Sequence, residues 1–138
     1  MAPYNAFNQY KQNSVYTSTP EELTLMLYNG LVKFIMQSQT SVAESNIEKA
    51  YNLLVRAQDI ILYFRATLDM KYEVSKGLDA LYEYMYRRLV EANVRKDGVI
   101  IAEVLGIARE LRDTWIEAMK IAKQPHKAEQ QSQSAMNQ

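Results

Sequence analysis

The side chains that could carry out chemistry are few in this 138-residue chain, and their spacing matches no catalytic motif. There are no cysteines, which excludes disulfides and thiolate metal ligands. The single histidine, His126, lies in a polar C-terminal stretch outside the amphipathic segments. A di-iron centre in a helical bundle needs inward-facing Glu-x-x-His pairs, so that site is not expected. Neither glycine-rich phosphate-binding pattern occurs in the sequence.

The carboxylates are spaced as expected for the solvated faces of helices rather than for a catalytic pair. They include Glu21, Glu22, Asp59, Glu83 and Glu103. An enzyme reading would require acids buried among the apolar stripes, and the predicted stripes contain none. No serine is placed beside a base. We therefore predict no enzyme activity and no cofactor.

A small basic cluster surrounds the end of the third predicted helix and comprises Arg87, Arg88, Arg95 and Lys96. Phosphate binding is one interpretation. Two others are favoured: cations stabilise a helix C-terminus, and an arginine can pair with a carboxylate on a neighbouring helix. Sixteen basic and sixteen acidic residues cancel over the chain, so nucleic acid is not predicted as a partner.

The segment from Thr19 to Met36 predicts the helix around which the chain is organised. Thr19 is the expected N-cap, Pro20 suits the first helical position, and Glu22 completes a capping-box pattern. Two apolar stripes follow at helical spacing, whereas an ordinary surface helix has one. The first stripe is Leu23, Leu27, Leu31, Phe34 and Ile35, and the second is Leu25, Tyr28, Val32 and Met36. The second stripe indicates either a central helix or a face reserved for a partner.

Three further amphipathic segments predict helices from about Asn46 to Leu68, Ser75 to Asn93, and Gly98 to Ala122. Ser45 is the expected N-cap of the second helix and Asp97 that of the fourth. Tyr51 is assigned to the main core stripe of the second helix. Core positions are also assigned to Trp115, Phe34, Phe64 and Leu81. Four such helices with short connections predict an all-α, antiparallel up-down four-helix bundle.

The predicted organisation is an N-terminal arm (1–18), a helical bundle domain (19–123) and a disordered polar tail (124–138). The arm is read as an extended segment or a short extra helix, with plain terminal disorder as the alternative. Hydrophobic residues make up 48% of the chain, but no apolar run reaches the roughly 20 residues of a membrane span. No signal peptide and no membrane insertion are expected.

Three motifs resemble the FliS family of flagellin-specific export chaperones. The first comprises a spaced series in the arm and first helix: Tyr10, Val15, Thr17, Pro20, Leu23, Leu27, Tyr28 and Gly30. The second is LYEYMYRRLVEAN from Leu81 to Asn93, and the third is AEVLGIARELRDTW from Ala102 to Trp115. Each motif is weak alone, but together they cover about residues 7–122 in the family's order.

The resemblance implies a cytosolic chaperone that binds the disordered C-terminal segment of newly made flagellin. Such a client lies in apolar grooves as short helices and extended stretches. Binding prevents premature polymerisation and delivers flagellin to the type III export apparatus. Export-apparatus or regulatory proteins are further candidate partners, and the chain is expected to be a monomer or a weak homodimer.

The expected partner-binding residues lie in the arm and on secondary stripes, where apolar surface exceeds what a bundle core uses. They are Phe7, Tyr10, Val15, Leu25, Tyr28, Ile60, Tyr63, Tyr86 and Val90. The arm residues either cover an empty groove or fasten the arm to the core. The alternative function is an unrelated helical adaptor or signalling bundle that binds a folded partner or itself.

Overall fold

A computed structural model describes residues 17–124, and these form four α-helices without a strand. The helices are α1 (Pro20–Ala43), α2 (Ile47–Thr67), α3 (Glu73–Arg95) and α4 (Gly98–Ala122). The predicted all-α four-helix bundle is thereby confirmed. The predictions for residues 1–16 and 125–138, including the extra helix of the arm and the disorder of the tail, lie outside the described residues.

The helix starts follow the capping residues in the sequence, with one correction. The Thr19 hydroxyl oxygen accepts a hydrogen bond from the backbone N–H of Glu22 at 3.1 Å, and Asp97 accepts one from Val99 at 2.9 Å. Both predicted caps are confirmed. Ser45 is wrong as the cap of α2, because Asn46 takes that role by accepting the backbone N–H of Lys49 at 3.3 Å.

Ser45 instead ends α1, and its backbone conformation explains the shift of the cap by one residue. Its φ is +60°, in the left-handed region. The N–H of Asn46 donates to the Ser41 carbonyl at 2.8 Å, and the N–H of Ser45 donates to Val42 at 3.0 Å. This pair of bonds is the Schellman ending of a helix. A residue in that conformation cannot also be the extended N-cap of the next helix.

The described chain divides into two compact units. One is Leu27–Leu111, and the described residues of the other are 17–26 and 112–124. The core of the first unit contains almost only apolar side chains. Its largest fully buried members are Leu31, Ile35, Leu54, Ile61, Met85, Leu89, Ile101 and Val104.

An aromatic cluster joins α1, α2 and α3 inside the first unit. The Phe64 ring centroid lies 4.6 Å from that of Tyr28 and 5.6 Å from that of Tyr82. The two tyrosine hydroxyls are 2.7 Å apart and form a buried hydrogen bond. Burial raises the pKa of both phenols. In the unfolded chain these phenols ionise at about pH 10, whereas in the folded chain they stay neutral to higher pH. The stability that the tyrosine pair contributes is therefore lost as the pH rises above about 10.

Four large side chains, Phe34, Phe64, Leu81 and Trp115, were assigned to the core, and three of them are only half-buried. Phe64 is buried as predicted, whereas Phe34, Leu81 and Trp115 are partly exposed. The Phe34 ring is covered by a cation, since the Arg56 guanidinium carbon lies 5.7 Å from its centroid. Phe34 therefore packs at the edge of the bundle rather than inside it.

The second unit brings the start of α1 together with the end of α4. The Trp115 indole N–H donates to the Glu21 carbonyl at 3.1 Å. Trp115 is only half-buried, and this hydrogen bond satisfies its indole N–H. The Ser18 hydroxyl donates to the Met26 sulfur at 3.5 Å.

Candidate partner-binding surface

In the described part of the chain, the acidic side chains do not gather into a metal-binding cluster. Residues 17–124 contain no group of three or more His, Asp or Glu side chains placed to hold a metal ion. The buried polar side chains in the same range are Ser38, Ser41, Ser75 and Asn93. Neither a carboxylate nor a cation is among them.

The basic cluster is largely neutralised by carboxylates. Arg88 Nε lies 3.0 Å from Glu103 on α4, and Arg88 Nη1 lies 2.8 Å from Glu91. Arg95 pairs with Glu91 at 3.0 Å and with Asp97 at 3.5 Å. The predicted pairing between neighbouring helices is confirmed, and this cluster is an α3–α4 connection rather than a phosphate site.

Large apolar and aromatic side chains nevertheless remain on the surface of the first unit. Those more than a third exposed include Met36, Ile47, Tyr51, Leu62, Tyr63, Met70, Tyr72, Val74, Val90, Val94 and Val99. Isolated exposed hydrophobic residues are common, but a set arranged along one furrow indicates an interaction surface.

One such furrow runs between α2 and α3, and we call it the α2–α3 furrow. It is lined by Tyr51, Val55, Gln58, Val90, Asn93 and Val94, and its volume is about 220 Å³. Small-molecule sites are generally larger, at roughly 300 to 1,000 Å³. The α2–α3 furrow therefore suits side chains of a docked polypeptide better than a cofactor.

Two interactions fix the antiparallel register of α2 and α3 on either side of this furrow. At one end the Asn93 amide donates to the Tyr51 carbonyl at 3.4 Å. At the other, Arg65 and Asp79 form an ion pair at 2.9 Å, and the guanidinium holds the pKa of the Asp79 carboxyl below its usual range. Both interactions hold α2 against α3, and the Asn93–Tyr51 bond is the one made by residues that line the furrow.

A second apolar strip lies where α1 meets α2, and we call it the α1–α2 seam. Its described members are Gly30, Phe34 and Ile60. A Cβ at Gly30 would lie 3.7 Å from the Ile60 side chain, which is an ordinary contact. The seam becomes polar towards the α1–α2 connection, where Gln37, Asn46, Glu48, Lys49, Asn52, Leu53 and Arg56 line a recess.

Two of the described partner-binding candidates, Ile60 and Val90, lie on these surfaces. Ile60 belongs to the α1–α2 seam, and Tyr63, about one turn further along α2, is exposed. Val90 lines the α2–α3 furrow. Tyr86 lies one helical turn before Val90 on α3 and is half-buried. Tyr28 departs from the prediction, because it is 6% exposed and its hydroxyl is bonded inside the core.

Leu25 belongs to the second unit, where it is half-buried. That unit has its own recess of about 260 Å³, lined by Thr19, Glu21, Glu22, Met119, Ala122 and Lys123. Phe7, Tyr10 and Val15 lie outside the described residues.

Val90 is the one furrow residue that the sequence predicted, and sequence reasoning missed the other five: Tyr51, Val55, Gln58, Asn93 and Val94. Tyr51 was predicted to lie in the core, yet it is 53% exposed. Its spacing of four from Val55 and seven from Gln58 marks a separate stripe. A polar Gln58 between apolar neighbours is the signal that this stripe is not a core face.

The described residues form an all-α bundle of four helices, and comparison with known proteins places the chain in a class of flagellar proteins. The model of the family described as "Flagellar protein FliS" matches residues 3–122. The chain belongs to the FliS family. Among the described residues, no helix is both long and apolar enough to cross a bilayer.

Curated relatives share the name of a chaperone. A "Flagellar secretion chaperone FliS" from Bacillus subtilis is 44% identical over 120 residues, covering 87% of this chain and 90% of the relative. The protein of the same name from Escherichia coli is 31% identical, covering 78% and 82%. A solved structure titled "Crystal structure of flagellar chaperone from bacteria" matches with a TM-score of 0.68 at 18% identity, covering 86% of this chain and 98% of that one. At that identity the structure supports the fold alone.

Proposed function

We propose that this chain is a cytosolic export chaperone that binds the C-terminal segment of flagellin. Binding keeps the segment from polymerising and presents it to the type III export apparatus. The role requires no enzyme activity and no cofactor. The observation that carries the proposal is the apolar surface that remains outside a fully formed core, along the α2–α3 furrow and the α1–α2 seam.

The physical reason is that flagellin's C-terminal segment assembles in the filament through apolar helix packing. A chaperone must cover the same side chains, and it needs a matching apolar surface to do so. Ordering a disordered segment costs several kcal/mol, so a small patch would not hold it. Two strips on adjacent sides of α2 provide a larger combined surface.

The arm belongs to the same proposal. When no client is present, Phe7, Tyr10 and Val15 partly cover the apolar surface to which the client binds. The client then either displaces the arm or packs against it. Hydrogen exchange of residues 4–18 tests this role. Flagellin's C-terminal segment should change the protection of these amides, and unchanged protection would remove the arm from the mechanism.

Co-elution with monomeric flagellin is the direct test of the proposed function. Size-exclusion chromatography should show a complex with full-length flagellin and none with flagellin lacking its C-terminal segment. Equal binding to both forms would place the contact elsewhere on flagellin. Absence of any complex would favour an adaptor that binds another partner or itself, and sedimentation of the free chain would show self-association.

A further inference from the structure

Arg109 differs from the other arginines of the chain because its hydrogen-bond partner is a sulfur atom. Carboxylates pair with five arginines: Arg65, Arg87, Arg88, Arg95 and Arg112. A sixth, Arg56, covers the Phe34 ring. Arg109 Nη2 instead donates to the Met36 sulfur at 3.6 Å. A thioether is a weak acceptor, so this guanidinium points at a group that uses its donors poorly.

The contact between Met36 and Arg109 connects α1 with α4 on the surface of the first unit. Met36 is 43% exposed, and Arg109 is exposed. The sulfur therefore lies beside both solvent and a guanidinium. Oxidation of a buried methionine disrupts an apolar core, because the sulfoxide is polar. At position 36 the sulfoxide oxygen would instead meet a charged donor, which makes a strong hydrogen bond.

The other methionines of residues 17–124 have different surroundings. Met85 is fully buried, and Met119 is half-buried. Met70 is 52% exposed in the connection between α2 and α3. Met26 is 40% exposed, and its sulfur accepts from the neutral Ser18 hydroxyl. Within this range, Met36 is the methionine at which solvent access coincides with a donating cation.

We propose that Met36 is a site of reversible oxidation by hydroperoxides, and that Arg109 binds the sulfoxide formed there. A lone pair of the sulfur attacks one peroxide oxygen, so that an S–O bond forms as the O–O bond breaks. The sulfur is oxidised and the peroxide is reduced. The proton of the transferred hydroxyl passes through water to the leaving oxygen, and hydrogen peroxide thereby yields one molecule of water. Rotation of the flexible methionine side chain then brings the new oxygen to the guanidinium.

Oxidation at this position replaces a weak N–H···S contact by a charge-assisted hydrogen bond between α1 and α4. The bundle should therefore keep its stability when the chain meets peroxide. Methionine sulfoxide reductases reverse the reaction, so the original contact is restored afterwards. This inference concerns the fold itself and does not depend on the proposed function.

Peptide mapping by mass spectrometry after brief treatment with hydrogen peroxide tests whether Met36 reacts in the folded chain. Trypsin cleavage places the five methionines of residues 17–124 in five different peptides. The peptides with Met36 and Met70 should gain one oxygen at comparable rates, whereas the peptide with Met85 should stay reduced until the chain is unfolded. A Met36 that reacts as slowly as Met85 would overturn the proposal.

The role of Arg109 is tested in a background chain that carries Met26→Leu, Met70→Leu and Met119→Leu. Within residues 17–124 this background keeps Met36 and the buried Met85 as its methionines. Peroxide should leave the melting temperature of the background unchanged or raise it by up to about 3 °C. With Arg109→Leu added, the shift on oxidation should be more negative, because the sulfoxide has lost its charged donor.

The difference between these two shifts measures the bond between the sulfoxide and the guanidinium, because any other effect of oxidation is common to both chains. Arg112→Leu in the same background is the matched control, since the Arg112 guanidinium pairs with Asp113 at 3.1 Å. Its shift on oxidation should equal that of the background. An equal shift with and without Arg109 would show that the guanidinium does not bind the sulfoxide, and the proposal would be overturned.

Discussion

At the residue scale, the apolar core contains one pair of tyrosine hydroxyls that form a hydrogen bond with each other. The oxygens of Tyr28 and Tyr82 lie 2.7 Å apart, and the two residues are 6% and 2% exposed. Burial is tolerated because each hydroxyl bonds the other beside the Phe64 ring. This pairing explains why Tyr28 lies inside the bundle although it was an expected partner-binding residue.

Tyr28→Phe should lower the free energy of unfolding by about 1–2 kcal/mol, because it leaves the Tyr82 hydroxyl buried without this bond. Urea denaturation of the free chaperone measures the change. The Tyr28→Phe, Tyr82→Phe double variant should lose less than the sum of the single changes. Additive losses would contradict a direct bond between the two hydroxyls.

Gly30 makes a second prediction at the residue scale. Glycine inside a helix costs about 1 kcal/mol relative to alanine, and the Ile60 contact of 3.7 Å leaves room for a methyl group. Gly30→Ala should therefore raise the free energy of unfolding by about 0.5–1 kcal/mol. Denaturant titration checks this increase. Ala80→Gly, at an exposed position on α3, is the reverse substitution and should lower the free energy of unfolding by a similar amount. A destabilised Gly30→Ala would contradict the room that this distance indicates between α1 and α2.

At the scale of elements, α3 and α4 are joined by a charged network in addition to their apolar faces. Glu103 on α4 accepts hydrogen bonds from the Tyr84 hydroxyl at 2.8 Å and from Arg88 at 3.0 Å. These bonds lower the pKa of the Glu103 carboxyl. The network therefore stabilises the fold above the ordinary carboxyl range and loses its effect as the pH falls through the lowered pKa.

Glu103→Gln should be less stable than the natural chain at pH 7, and the difference should shrink as the pH falls below about 4. Thermal unfolding between pH 7 and pH 3 measures it. Glu110→Gln, at an exposed position on the same helix, serves as the control. A difference that stays constant across this range would show that the Glu103 carboxylate charge makes no contribution.

The sequence predicts where each helix begins and ends better than which face of the helix points into the core. Capping side chains are local signals, so Thr19 and Asp97 are found where expected, and the α4 bounds match. Ser45 fails as a cap because the choice between two adjacent capping residues depends on how α1 ends. Rotation about a helix axis depends on packing against neighbours, which periodicity does not contain. For that reason Tyr28 and Tyr51 exchange their predicted interior and surface roles, whereas Ile60, Tyr63 and Val90 retain exposed surface.

At the scale of the whole molecule, the helices have more apolar surface than the described core covers. The formal net charge of the chain is zero, and Arg88 and Arg95 near the end of α3 are paired with carboxylates. Membership of the FliS family and the exposed strips on α2 are both accounted for by a client polypeptide that binds along the bundle.

Circular dichroism of the chaperone mixed with a flagellin C-terminal fragment tests this account most directly. If the fragment folds as helices on the apolar strips, the helical signal of the mixture will exceed the sum of the separate spectra and saturate at a fixed molar ratio. A mixture whose spectrum equals that sum, at concentrations where the fragment is in excess, would contradict coupled folding and binding on this surface.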